Sequence, residues 1–113
     1  HTGIEAQNEA MVRRFCSFFD EDPVMFSYLL LVRHAHQKRI TPRTRTPFAV
    51  IQDTVATAMK SGDIPERDPA LVTAMVFGLV QQVAAAIVAG RLKGKLFGHA
   101  DTLVISSWLV LKG

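Results

Sequence analysis

The side chains best suited to binding a metal are the histidines and the single cysteine, and their spacing does not form a metal site. His34 and His36 are two residues apart, so on a helix their side chains point about 200° away from each other. His99 has no cysteine or histidine near it, and the chain has no HExxH or paired-cysteine pattern. We therefore expect exposed histidines, no metal and no other cofactor.

A glycine-rich hexapeptide at positions 90–95 is the nearest approach to a phosphate-binding loop. It has three residues between Gly90 and Gly94 where a P-loop has four, and Leu96 stands where Ser or Thr should follow Lys95. The segment also follows a helical pattern, and the carboxyl end of a helix carries the partial negative charge that repels phosphate. We interpret it as a linker.

The residues that could act in acid–base or nucleophilic catalysis do not form a set. Glu21 and Asp22 precede Pro23, where helix capping accounts for carboxylates. General acid–base catalysis needs a carboxylate in an apolar cleft, and neither Asp53 nor Glu66 is placed for it. The context of a nucleophile elbow is missing at Ser27, Ser61, Ser106 and Ser107. The sequence predicts no catalytic residues and a protein that is not an enzyme.

The helix start and stop signals of the chain, and the spacing of its apolar residues, predict that its elements are helices. Asp22-Pro23, Thr46-Pro47 and Asp68-Pro69 each join a capping oxygen to a proline, which is the signal for a helix start. Gly62 and Gly90 are typical helix stops. Apolar residues recur every three or four positions, and no segment alternates with period two. We predict one all-α domain over residues 1–113, an orthogonal helical bundle of about five helices.

The composition predicts a globular protein and a cytoplasmic location. The 113 residues are 49% hydrophobic and 20% charged, an ordinary globular balance. The lone Cys16 cannot form an internal disulfide, and no secretory signal opens the chain, so we expect a cytoplasmic protein. Because the chain does not begin with methionine, we expect a fragment or a processed product.

Seven basic residues and no acidic residue lie between positions 33 and 45, within a formal net charge of +3. A solvated helix end with its loop is one interpretation of this segment. Contact with a phosphate backbone is the other. The sequence leaves both open.

Residues 69–90 contain no charged residue, and this length could span a bilayer. The adjacent Gln81 and Gln82 and the absence of aromatic anchors argue against a membrane. A helix that is apolar on every side needs cover on every side, and a second copy of the chain supplies it. We therefore expect a homodimer through a four-helix bundle. Its interface would contain Met75, Leu79, Gln82, Ala86, Trp108 and Leu111.

Aromatic residues and methionines come from four helical segments. Either they form the core, or they line an apolar pocket between helices. On the second interpretation the ligand-binding residues are Phe15, Phe19, Phe26, Leu29, Phe48, Ile51, Val55, Met59, Phe77 and Gln81. Which face of the helix over 69–89 faces the pocket, and which faces the partner, stays open.

The order of these signals resembles a known family. Asp-Glu-Asp-Pro-Val-Met-Phe (20–26) follows a helix rich in aromatics, Met-Lys-Ser-Gly-Asp-Ile (59–64) ends a proline-started helix, and Asp-Pro-Ala-Leu (68–71) begins an apolar helix containing Phe77-Gly78. A helix bearing the only tryptophan ends the chain. This pattern resembles the C-terminal domain of TetR-type transcriptional regulators over essentially the whole chain.

The resemblance implies a repressor's regulatory domain, which dimerises through its last two long helices and binds a small apolar effector. The family's N-terminal helix-turn-helix has no counterpart here, so DNA would be bound only through a domain that this chain does not contain. The alternative is a helical interaction and dimerisation module with no small-molecule ligand.

Overall fold

The computed structural model describes residues 3–27 and 47–113, and in these ranges the chain is helical with no strand. The elements are α1 (Gly3–Glu21), α2 (Pro23–Ser27), α3 (Pro47–Lys60), α4 (Pro69–Val88), a 3-10 helix (Leu96–His99) and α5 (Ala100–Lys112). The prediction of an all-α bundle of about five helices is confirmed for these residues. Leu29 and the basic segment 33–45 lie outside the described ranges.

The predicted helix boundaries are confirmed. The Asp22 carboxylate accepts a hydrogen bond from the backbone N–H of Met25 (3.0 Å), and Asp68 accepts one from Ala70 (3.0 Å). These bonds satisfy N–H groups that have no partner inside a helix. Proline follows each cap and opens the helix. Gly62 and Gly90 adopt φ of 81° and 78° after the ends of α3 and α4, a conformation that glycine reaches without a steric penalty.

Two clusters of buried side chains form the core. The first lies between α1, α3, the first half of α4 and the end of α5, and contains Val55, Val76 and Leu111. The second lies between α1, α2, the second half of α4 and the beginning of α5, and contains Val80 and Leu103. The start of α4 packs near the end of α5, and the end of α4 packs near the start of α5. The two helices therefore run antiparallel.

Polar contacts fix α5 at both ends. The Arg13 guanidinium on α1 donates to Asp101 at the start of α5 (2.8 Å) and to Glu9 (3.1 Å). Near the other end, Arg67 donates to the backbone carbonyls of Val110 (2.9 Å) and Leu111. These contacts hold α5 against α1 and against the loop before α4.

Candidate functional site

A cavity of about 450 Å³ lies between α1 and α3, with one residue each from α4 and α5 in its wall. This volume falls within the roughly 300–1,000 Å³ typical of small-molecule sites. Its wall contains Ile4, Gln7, Asn8, Met11, Arg14, Phe15, Val50, Ile51, Thr54, Val55, Val76 and Leu111. Eight of these twelve residues are apolar, so the cavity suits an apolar molecule or part of one.

Helical spacing brings these side chains together. On α1, Ile4, Met11 and Phe15 are separated by seven and then four residues, so they share one side of the helix. On α3, Ile51 and Val55 are one turn apart and buried. Most of the wall therefore comes from two facing helices, α1 and α3, and Val76 and Leu111 complete it.

Two of the four polar residues of the wall form hydrogen bonds within the chain, and the other two are exposed to solvent. The Asn8 amide is buried and donates to Ser107 Oγ on α5 (3.0 Å), while the Thr54 hydroxyl donates to the carbonyl of Val50 (3.1 Å). Gln7 and Arg14 are exposed at the rim. Arg14 is the only charged residue of the wall.

Three of the residues predicted to bind a ligand line this cavity: Phe15, Ile51 and Val55. Three more belong to the same core cluster, namely Phe48, Met59 and Phe77. The Phe77 ring lies 5.6 Å from that of Phe15 and 5.3 Å from that of Phe48, measured between centroids. These six residues are brought together around one region.

The remaining predicted ligand residues are not in the wall of this cavity. Phe19 and Phe26 pack edge to face (centroids 5.2 Å apart) in the second core cluster, away from this cavity. Phe19 is one turn beyond Phe15 on α1, where α2, the helix that carries Phe26, covers α1. Gln81 is half-buried one turn beyond Phe77. Leu29 lies outside the described residues.

Sequence reasoning missed nine residues of the wall. They are Ile4, Gln7, Asn8, Met11, Arg14, Val50, Thr54, Val76 and Leu111. The repeat of seven that joins Ile4 to Met11 and Gln7 to Arg14 was a usable signal, because positions seven apart lie on one side of a helix. The polar residues Gln7, Asn8, Arg14 and Thr54 were missed because a pattern of aromatics and methionines does not include them.

A second feature is an exposed apolar surface on α4 and α5, here named the α4/α5 surface and defined by Leu71, Met75, Ile105 and Leu109. Their side chains are 57%, 42%, 62% and 54% exposed, respectively. At 100° per residue, Leu71 and Met75 lie opposite the buried Val80 on α4. Ile105 and Leu109 lie opposite the buried Ser107 on α5. Large apolar side chains grouped on two packed helices are typical of interaction sites.

The residues predicted to meet a partner divide into three groups. Met75 and Gln82 are exposed on α4. Leu79, Ala86 and Trp108 are half-buried, and Trp108 packs against the first core cluster. Leu111 is 1% exposed, so its own chain already covers its side chain. Its side chain lies on the stripe of α5 that faces α1, and it lines the cavity.

By length and composition, α4 is a helix that could cross a membrane (mean hydropathy 2.0). Only a third of its most apolar stretch is buried within the chain. The buried part comprises Val72, Thr73, Val76, Phe77, Val80 and Ala84. The remaining faces of α4 thus leave apolar area available for another molecule.

Other groups with possible chemistry are isolated. Within residues 3–27 and 47–113, no three His, Cys, Asp or Glu side chains lie close enough together to hold a metal. Cys16 is fully buried, and this burial, with a smaller effect from Asp20, raises the pKa of its thiol from 9.0 to about 11. A thiol in this state is protonated and unreactive at neutral pH. The glycine-rich segment 90–95 is an exposed connection between α4 and the 3-10 helix.

Comparison with protein-family models, with curated proteins and with solved structures found no match for this chain.

Proposed function

We propose that this chain is the ligand-binding and homodimerisation domain of a TetR-like transcriptional regulator, in which a small apolar effector controls DNA binding. The proposal rests on the resemblance of the sequence pattern and on two features of the fold. These are the apolar cavity between α1 and α3 and the α4/α5 surface.

The observation that carries the proposal is that the cavity reaches the helices of the exposed surface. Val76 on α4 and Leu111 on α5 lie in the cavity wall. Met75 is next to Val76, and Leu109 is two residues from Leu111, and both belong to the α4/α5 surface. A ligand against Val76 and Leu111 therefore touches the same two helices that would contact a partner. A difference in ligand affinity between two arrangements of these helices would couple binding to dimer geometry.

The α4/α5 surface supports a two-fold dimer. Two antiparallel helices per chain, each with exposed leucine, isoleucine or methionine side chains, supply the four helices of a bundle. On α4, Gly78 lies between the exposed side chains of Met75 and Gln82. Because glycine has no side chain, it allows a partner helix to approach closely. Lipid could cover the same apolar area of α4, so the test must separate a partner chain from a membrane.

Sedimentation velocity at several protein concentrations tests the assembly. We expect the unmodified chain to sediment as a dimer and Leu109→Glu to sediment as a monomer, because an unpaired buried carboxylate is costly at an interface. Val24→Glu is the matched control, since Val24 is 80% exposed on α2 and outside the α4/α5 surface. A monomer for the unmodified chain, or flotation with liposomes without detergent, would contradict the dimer.

Thermal unfolding in the presence of apolar compounds tests the effector site. A ligand at a hundred times its dissociation constant stabilises the folded state by about 2.7 kcal/mol. If the chain is a dimer and no compound raises its melting temperature, the alternative of an interaction module without a ligand is favoured. The assignment to TetR-like regulators is tested by sequencing the gene upstream of the codon for His1. We expect it to encode a helix-turn-helix.

A further inference from the structure

We infer that the cavity between α1 and α3 takes an amphipathic organic anion, with an apolar body against the wall and a carboxylate beside Arg14. The inference rests on the proposed function and deepens it by naming the chemical class of the effector. It follows from the charge of the cavity rim and from the polarity of its wall.

Arg14 and its neighbour Arg13 differ in how their charge is balanced. Arg13 forms ion pairs with Glu9 at 3.1 Å and Asp101 at 2.8 Å. Arg14 has no ion pair with any described residue. The positions three and four residues from it on α1 hold no acid, the partners that usually neutralise a helical arginine. They are occupied by Ala10, Met11, Ser17 and Phe18.

The cavity wall provides no counter-charge either. None of its twelve residues is an aspartate or a glutamate. A guanidinium at the rim of an apolar cavity attracts a carboxylate, which it binds through charge-assisted hydrogen bonds. A ligand amine would meet the same positive charge and be repelled. The cavity therefore distinguishes an anion from a cation of equal length.

The wall also indicates the shape of the apolar body. Ile4, Met11 and Phe15 line the cavity along α1, and the span from Ile4 to Phe15 is about 16 Å at 1.5 Å per residue. Arg14 is at one end of this span, so a linear chain whose head lies at Arg14 would extend over Met11 toward Ile4. Straight-chain carboxylates fit this outline. Octanoate is a suitable probe.

Isothermal titration calorimetry with octanoate, 1-octanol and octylamine tests the inference on the full chain at neutral pH, where the carboxylate is ionised. We expect octanoate to bind about tenfold more tightly than octanol, since a hydrogen bond to a charged group has about that effect, and octylamine to bind most weakly. The preference for octanoate should decrease as salt is added, because the head group lies at an exposed rim.

Three variants locate the effect. Arg14→Gln should bind octanoate and octanol equally, whereas Arg91→Gln, which removes the same charge from an exposed loop outside the cavity, should keep the tenfold preference. Val50→Trp should weaken binding of all three compounds, because Val50 lies in the wall and its half-exposed side chain leaves room for a larger one at the rim. Circular dichroism establishes that each variant is folded.

The outcomes separate this inference from the proposed function. If octanol binds as tightly as octanoate, or if the preference survives in Arg14→Gln, the inference is wrong while an apolar effector site stands. If Val50→Trp binds octanoate normally, the ligand occupies another place and the inference is also wrong. If the unmodified chain binds none of the three compounds, both the inference and an apolar effector site of this kind fail.

Discussion

The carboxylate of Asp20 accepts a hydrogen bond from the backbone N–H of Leu96, with an oxygen-to-nitrogen distance of 2.7 Å. Its second oxygen accepts from the N–H of the next residue, Phe97, at 2.9 Å. The two N–H groups begin the 3-10 helix that leads into α5, and such groups have no partner within their own helix. One side chain near the end of α1 thus binds the start of the 3-10 helix, which connects directly to α5.

Asp20→Ala is expected to lower the free energy of unfolding by about 1–3 kcal/mol, because it leaves two N–H groups without an acceptor. Asp20→Asn keeps one acceptor oxygen and should lose less. Urea unfolding measures both, and Glu66→Ala is the control, since Glu66 is exposed in a loop. If Asp20→Ala is no less stable than Glu66→Ala, these bonds contribute little.

Asn8 and Ser107 connect α1 to α5 inside the core. Asn8 Nδ2 donates to Ser107 Oγ at 3.0 Å and more weakly to the Val104 carbonyl at 3.4 Å. Ser107→Ala leaves the buried amide with only the longer bond, so we expect a loss of about 1–2 kcal/mol of unfolding free energy. In an Asn8→Leu background the same change should cost less, because no amide remains to be satisfied.

A double-mutant cycle of Asn8→Leu and Ser107→Ala measures this coupling by urea unfolding. We expect the two changes together to destabilise the chain by about 1 kcal/mol less than the sum of the single changes. Additive effects would mean that the hydrogen bond does not contribute to stability. Because Asn8 Oδ1 is buried and has no hydrogen-bond partner among the described residues, Asn8→Leu also removes an unsatisfied group and should be the milder single change.

Burial makes Cys16 a pH-dependent contributor to stability. The raised pKa, from 9.0 to about 11, means that the folded chain holds the thiol proton more tightly than the unfolded chain. The contribution to stability is therefore constant below pH 9 and is lost as the pH rises from about 9 to 11. Urea unfolding of the unmodified chain and of Cys16→Ala is compared at pH 8 and at pH 10.5. The difference between the two chains isolates the contribution of the Cys16 thiol, because the other titrating groups are the same in both.

The difference in stability between these two chains should be smaller at the higher pH. Iodoacetamide labelling gives an independent measurement, because the thiolate is the reactive form. Below pH 8, we expect Cys16 to react much more slowly in the folded chain than in urea. Equal rates in the two states would contradict a buried, protonated thiol.

The helices could be predicted from the sequence because their signals are local. The Asp68-Pro69 pair begins α4 through contacts within two residues, and Gly90 terminates it through its own backbone conformation. Neither depends on the rest of the fold. The all-helical class follows from such signals and from the apolar period of three to four residues.

The cavity could be predicted only in part because its wall combines distant segments. Ile51 and Val55 were found from the apolar face of α3 alone. Arg14 and Gln7 were missed because polar residues on an exposed stripe carry no local sign that they border a cavity. Leu111 was assigned to a partner surface because the apolar stripe of a helix does not reveal whether its own chain or another covers it. Its contact with α1 and α3 is a property of the tertiary fold.

Arg67 stabilises the end of α5 from the loop before α4. Its guanidinium donates to the carbonyls of Val110 and Leu111 in the last turn of α5. The Val110 carbonyl also accepts from the N–H of Gly113 at 3.3 Å, but the last carbonyls of a helix lack the usual partner four residues on. Arg67→Met keeps the apolar stem but removes these donors, so we expect a loss of about 1–2 kcal/mol of unfolding free energy. Arg67→Lys, with a single ammonium group in place of the planar fork, should be intermediate.

Hydrogen exchange locates the effect of Arg67. In Arg67→Met the backbone amides of the last turn of α5 should exchange faster, while those of α3 should be little changed, because the loss is a local fraying that begins at the helix end. Since Leu111 also lines the cavity, this fraying should weaken octanoate binding, and Lys112→Met, which alters an exposed charge in the same turn, should not. Unchanged exchange in α5 would show that the apolar contacts of Leu111 alone hold the end of the helix. The Arg67 guanidinium would then contribute nothing to the shape of the cavity.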